Sequence, residues 1–310
     1  MSKGNKNMKR FQNICTKTQA ELKTFVTEQL TNTHPAVVSD NGFVYAQGTV
    51  PILLVAHLDT VHHKTPECLW YDDRDGSLSA PCGIGGDDRC GVYIILEILK
   101  QHNCSVLFCE DEEIGGIGAE KFTKTKLANN LIGSFNYIIE FDRKGSNDAV
   151  FYDCVNWEFE DFITKQFYKT AYGSFSDISV LAPYLECAAV NLSCGYYNAH
   201  TTQEYVKWAE MLTAVKEGCK LIERTTEVHK FEYIGYRDHY DKYDAWDDWG
   251  EIIGNKKNNY SQDEYIIIYA DECGREDTYS TSAVSMEEAV GKFCISTLMS
   301  FSDIIDIEIY

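Results

Sequence analysis

The 310-residue chain is 44% hydrophobic and 25% charged, well inside the globular range, which predicts one large domain with at most a small appendage. Forty-eight acidic residues against 28 Lys and Arg give a formal net charge of -20, which argues against nucleic acid as a partner, since phosphate backbones are gripped by clustered cations. The basic start (Lys3, Lys6, Lys9, Arg10) is followed by no apolar signal-peptide core, and no apolar run reaches the roughly 18 residues of a membrane helix, so the chain reads as soluble with no membrane partner.

Twelve cysteines stand singly, several inside apolar runs (Cys104, Cys109, Cys187, Cys219), and never as CxxC. That usage predicts small buried thiols in a reducing cytoplasm and argues against disulfides and structural zinc fingers.

Strand-like and helix-like segments alternate from about residue 15 to 226, the pattern of a layered α/β domain with a mixed, largely parallel central sheet. Short apolar strands are predicted at PILLVA (51–56), SVLFC (105–109), NYIIEF (136–141) and ECAAVNL (186–192). RCGVYIILEILKQ carries Val92, Ile95, Leu96 and Leu99 on one helical face. A second helix is expected directly after His200, with Thr201 and Glu204 as a capping box and Tyr205, Trp208, Leu212, Val215, Cys219 and Ile222 as its apolar face. Residues 1–228 then form the main domain, and 229–262, rich in Tyr, Asp, Lys and Asn, an acidic aromatic linker. Residues 263–310 read as a small β-α-β appendage, an α+β unit with a further capping box at Ser285 and Glu288.

Ligands of open α/β sheets gather past the carboxyl ends of the strands. Here those ends deliver His57 and Asp59 after the first strand, Glu110 to Glu113 after the second, Asp142 after the third, and a loop leading to His200 after the fourth. The glycine-rich GIGGDD adds Asp87 and Asp88 at a helix start. Each alone is ordinary loop chemistry. Together they form an acid knot that is costly to bury unless divalent cations offset it. Two imidazoles among carboxylates suit zinc, with cobalt or manganese as alternatives, and two such ions would support metal-assisted hydrolysis. Gly115, Gly116 and Gly118 are not read as a phosphate loop, because acidic neighbours would repel phosphate and no P-loop Lys follows.

In this order HLDTV, GIGGDDRCGV, EDEEIGGIGA, EFDRKG and GYYNAHTTQEY resemble the five metal-site motifs of the dizinc exopeptidases, the clan of tripeptidase T, glutamyl aminopeptidase and the carboxypeptidase G type enzymes. The resemblance covers roughly residues 50–225 and implies a three-layer α/β/α zinc-exopeptidase-like domain. It implies that His57 and Asp142 bind one metal, that Glu113 and His200 bind the other, and that Asp87 bridges the two. Asp59 would orient the His57 imidazole, Glu112 would be the general base, and the Asp87–Asp88 peptide bond would be cis. One departure stands out. Positions 142 and 200 lie only 58 residues apart, too few for the lid domain that the tripeptidase T and carboxypeptidase G branch inserts there.

Without a lid, substrate contacts must come from the core. Tyr196 or Tyr197 is the candidate oxyanion donor, each with ordinary packing as the alternative; His62 and His63 are near enough in sequence to line the cleft. Ser176 and Asp177 are candidates for the pocket wall or for a helix cap, and Arg143 for a substrate carboxylate or an internal salt bridge. The activity expected is an aminopeptidase acting on short peptides. An N-acyl amino acid deacylase or carboxypeptidase-type amidohydrolase would use the same site, and a catalytically silent binding module acting through DKYDAWDDW is the reading from another class. Substrate side chain and oligomeric state are left open.

Overall fold

A computed structural model of the chain describes residues 3–165, 167–224, 230–235, 263–270, 275–283, 293 and 304–309. Helices α1 (Lys3–Cys15) and α2 (Gln19–Thr31) lead into strands β1 (Val37–Asp40), β2 (Phe43–Ala46) and β3 (Val50–His57), the hairpin β4 (Trp70–Asp72) and β5 (Ser77–Ser79), helix α3 (Gly86–Ile98) and strand β6 (Cys104–Cys109). Next come α4 (Ile117–Thr123), α5 (Lys126–Leu131), β7 (Tyr137–Arg143), β8 (Asp148–Val150), α6 (Trp157–Thr164), β9 (Lys169–Thr170) and α7 (Asp177–Leu185). Strands β10 (Ala189–Ser193), β11 (Tyr196–Tyr197) and β12 (Tyr205–Lys207) precede α8 (Trp208–Arg224), and β13 (Asp263–Ala270), β14 (Glu276–Ala283) and β15 (Ile304–Ile309) follow.

The central sheet has eight strands in the order β1-β2-β6-β3-β7-β10-β8-β9. Its middle four, β6, β3, β7 and β10, are parallel neighbours, while β1, β2 and β8 join antiparallel. Strand alternation sorts the side chains. Ile52, Leu54 and Ala56 of β3 pack in one buried cluster with α1, α2, α3 and α8, whereas Leu53 and Val55 pack in the other with α4, α5 and α7. Both faces of each central strand are thus covered by helices, which explains why these strands read as continuous apolar runs. Each fully buried Leu or Ile contributes about 1.5–3 kcal/mol. Helix α3 lies deepest, buried on every side from Cys90 to Leu96, so its apolar residues exceed the single face read from period. The basic start forms α1, which buries Phe11, Ile14 and Cys15.

The helix expected after His200 begins later. Tyr205–Lys207 pairs with β5 as strand β12, and the helix starts at Trp208. Glu204 is withdrawn from any cap because its carboxylate accepts backbone hydrogen bonds from the glycine-rich loop. Strands β11, β12, β5 and β4 make a small antiparallel sheet of their own.

Contacts divide the chain into two units, Met1–Lys242 and Tyr243–Tyr310. The first extends beyond the predicted boundary at 228: Phe231 is buried against Tyr137, Phe159 and Phe162, and its backbone bonds Asn136 and Ala188. In the second unit, β13 is flanked antiparallel by β14 and β15. Strand β14 was not legible as one, because EDTYSTSA is polar and largely exposed. The Ser285 and Glu288 capping box and the DKYDAWDDW segment lie outside the described residues. All ten cysteines among the described residues are free, and none of the described helices is long and apolar enough to cross a membrane.

Candidate metal centre and its surroundings

Strand order places β3 between β6 and β7, and the chain leaves β3 toward one neighbour and later crosses to the other. The crevice at such a reversal opens at the carboxyl ends. There β3 ends at His57, β6 leads into Glu112 and Glu113, β7 presents Asp142, and the loop between β11 and β12 carries His200.

Asp87 stands at the centre. Its Oδ1 lies 3.1 Å from His57 Nε2, which is itself 3.4 Å from Asp142 Oδ1. Its Oδ2 lies 3.2 Å from His200 Nε2, which is 3.0 Å from Glu113 Oε2. The two carboxylate oxygens therefore face two different donor sets. Bonds of about 2.0–2.2 Å to a tetrahedral ion would hold ligand atoms roughly 3.3–3.6 Å apart, close to these separations. A buried oxygen of Glu113, Oε1, has no hydrogen-bond partner, as expected of a donor aimed at a cation. His57, Asp87 and Glu113 each offer an atom within 4.8 Å of the others, as do His57, Asp88 and Asp142. Asp88, however, accepts from the backbone N–H of Gly91 at 2.7 Å and of His57 at 3.3 Å, which gives it a structural occupation. The bond joining Asp87 to Asp88 is cis.

Asp59 ties two of the motifs together. Its Oδ1 accepts from His57 Nδ1 at 3.0 Å, leaving Nε2 to face Asp87, and its carboxylate also accepts from the backbone N–H groups of Glu112 and Glu113 at 3.0 and 3.1 Å. Burial, followed by the charges of Asp142, Asp177 and Asp87 acting against His57, pushes the Glu112 carboxyl up to about 9. Burial and the charge of Asp87 likewise push Asp142 up to about 7, with His57 opposing. Burial alone would lower His57, yet hydrogen bonds to Asp142, Asp59 and Asp87 hold it well above its ordinary value. The half-exposed His200 is raised to about 10 by Asp87 and Glu113. Asp87 is raised by burial but held below the usual carboxylate range by the two imidazoles.

Several of the other candidates are engaged by partners of their own. Tyr196 is buried and its hydroxyl donates to the Asp142 backbone carbonyl at 2.9 Å, and the Tyr197 hydroxyl donates to Glu210 at 2.6 Å, so both protons are engaged. Arg143 pairs with Asp148 at 3.4 Å. Ser176 and Asp177 are fully buried: the Ser176 hydroxyl bonds Glu140 and lies 3.3 Å from Asp142 Oδ2, while burial raises the Asp177 carboxyl to about 6. His63 shows no tie to the centre, whereas His62 bonds Glu204 at 2.8 Å.

Three supporting residues escaped the sequence reading. Glu140 is fully buried, two residues before Asp142 and thus on the same face of β7, a signal that strand alternation offered. Asn191 accepts from the Asp142 backbone N–H at 2.9 Å and points its amide at the same carboxylate. Glu204 is the third.

No family model matches the chain, and no curated protein matches it either. Solved structures do. An aminopeptidase, PepT, from Bacillus cereus ATCC 10987 superposes with a TM-score of 0.57 at 14% identity, covering 72% of this chain and 98% of that one. A tripeptidase from Staphylococcus aureus subsp. aureus Mu50 gives a TM-score of 0.57 at 12% identity, covering 72% and 99%. An aminopeptidase from the archaeon Desulfurococcus kamchatkensis gives 0.53 at 15% identity, covering 71% and 95%. The chain has the fold of these peptidases, the fold that its motifs imply.

Proposed function

We propose that the chain is a metal-dependent exopeptidase, an aminopeptidase acting on short peptides. The observation that carries this reading is Asp87, whose two oxygens face separate donor sets beside Glu112. His57 and Asp142 would hold one divalent cation, His200 and Glu113 the other, and Asp87 both; imidazole with carboxylate favours zinc, with cobalt or manganese able to substitute. When bound, such a pair lowers the pKa of water to about 7 and polarises the scissile carbonyl.

The chain's own residues supply the rest. Glu112, beside the ligand Glu113, takes the proton of the attacking water and delivers it to the leaving amine. Burial raises Glu112 most; with Asp87 and Asp142 engaged as ligands, the part of the shift that their charges add would be offset, which favours the carboxylate as a base. Asp59 holds His57 in the tautomer whose Nε2 is free and fixes the backbone from which Glu112 projects. The free cysteines fit a reducing, cytoplasmic setting.

Elemental analysis of the chain reconstituted with zinc, cobalt or manganese tests the centre, with two ions per chain expected. A panel of aminoacyl, carboxyl-terminal and N-acyl amide substrates then separates aminopeptidase from carboxypeptidase and deacylase. A chain that retained no ion after reconstitution would sink the reading.

A further inference from the structure

Glu204 is completely buried, and its carboxylate is saturated by three donors from two other loops. Oε2 accepts from the backbone N–H of Gly85 at 2.8 Å and from His62 Nε2 at 2.8 Å, and Oε1 accepts from the backbone N–H of Asp87 at 3.1 Å. An ionised carboxylate only accepts, so the proton of His62 sits on Nε2. The carboxylate thus grips the backbone N–H groups of the two residues that flank Gly86. One of them belongs to Asp87 itself.

The local sequence is shaped to this grip. Gly85 is left-handed (φ 65), and a Cβ on Gly86 would lie 2.8 Å from Tyr196 Cβ and 2.9 Å from Val206 Cγ2, so only a bare backbone can turn its amides onto the buried carboxylate at this distance. Four residues before Glu204 is His200, and the next residue begins β12, which is pinned to β5. His200 is half-exposed and left-handed (φ 64), and its Nε2 meets Asp87 and Glu113. Glu204 is therefore the fixed point joining the loop that carries Asp87 to the loop that carries His200.

We propose that Glu204, backed by His62, is a positioning residue that sets the separation of Asp87 from His200, and with it the affinity for the cation those two residues share. This rests on the metal-centre reading above. The sequence pattern concealed it, since Glu204 three residues after Thr201 imitates a capping box.

The test measures metal binding in the full-length chain after metal stripping, by calorimetric titration with Zn²⁺ and by the visible absorption of the Co²⁺ form. Glu204→Gln keeps the volume but turns an amide donor toward a backbone donor. It is expected to weaken at least one zinc site by about 10–100-fold, the usual cost of losing a group that orients a ligand, and to shift the Co²⁺ absorption. His62→Gln, which retains a donor, should stay within about threefold of wild type, and His62→Leu should not. Zinc affinities and Co²⁺ spectra in Glu204→Gln equal to wild type would overturn the proposal, even if its melting temperature fell, for that would mark a purely structural anchor. If Glu204→Gln fails to fold, His62→Leu decides by the same readout. A wild-type chain that takes up no metal is a separate result, which removes the functional reading first.

Discussion

At the end of β4, Asp72 meets Arg74 two residues away, and the guanidinium holds the partly exposed carboxyl down at about 2. At the carboxyl edge of the central sheet, burial and like-charged neighbours push Glu112 up to about 9. Residue types are shared between the two places and their electrostatics are opposite. The hairpin solves its charge locally, with one partner nearby in sequence and water around both. The sheet edge collects several carboxylates, and among the described residues the large buried cation beneath them, Arg89, spends its donors on the backbone carbonyls of Leu58, Asp59 and Lys17. Charge left over in a buried place is a demand for a ligand, whereas charge cancelled at the surface contributes little.

Four experiments press on that contrast. Asp87→Ala removes the carboxylate both donor sets share and should abolish two-ion stoichiometry and turnover together; elemental analysis beside a peptidase assay checks both. Glu112→Gln should cut kcat by about 10²–10⁴-fold while leaving the metal content at wild type, the range a general base contributes. Loss of metal as well would recast Glu112 as a ligand.

The third experiment uses pH. Folded Glu112 and Asp142 titrate near about 9 and about 7, above their values of 4.5 and 3.8 in the unfolded chain, so the folded chain binds more protons. Their contribution is complete below the unfolded values and is lost as pH rises through the folded ones; His200, raised to about 10, acts with the same sign. Asp87 is shifted the other way, and its contribution is lost only as pH falls below the usual carboxylate range. The melting temperature of the metal-free chain should therefore fall between pH 5 and 9, and Zn²⁺ should flatten that slope while releasing protons on binding. A metal-free chain whose melting temperature rises across this window contradicts the assigned environment. Smallest of all, Asp72→Asn should leave the melting temperature within error, and a clear drop would erase the contrast with the sheet edge.

Much of the central sheet was legible because its strands are buried on both faces and so stand out as unbroken apolar runs. The four predicted strands lie within three residues of the observed ends. That His57, Asp142, His200 and the carboxylates around Asp87 and Glu113 collect at one sheet edge was legible for a related reason, because strand ends are where the fold gathers ligands; which of those carboxylates to single out came from the resemblance to the dizinc exopeptidases. What escaped were groups whose meaning depends on a partner far away in the chain. Glu204 looks like a helix cap until Gly85 and Asp87 are placed against it; Glu140 looks like a solvated break in a strand until burial and Ser176 surround it; Asn191 is one polar residue in an apolar run until it meets Asp142. Phe231 belonged on paper to a linker, and only packing against Tyr137 and Phe159 attaches it to the first unit.

By itself, then, the sequence determined the four central strands, the deep helix and the order in which acidic and imidazole groups reach the sheet edge, because those follow from local periodicity and the chemistry of strand ends. Tertiary structure alone decided that the Tyr196 and Tyr197 hydroxyls bond Asp142 and Glu210, and that the Glu204 carboxylate is buried against Gly85, Asp87 and His62. Those are questions of distance between segments that the chain separates, by more than a hundred residues for Glu204 and its three donors, and period and spacing carry no information about which buried group meets which.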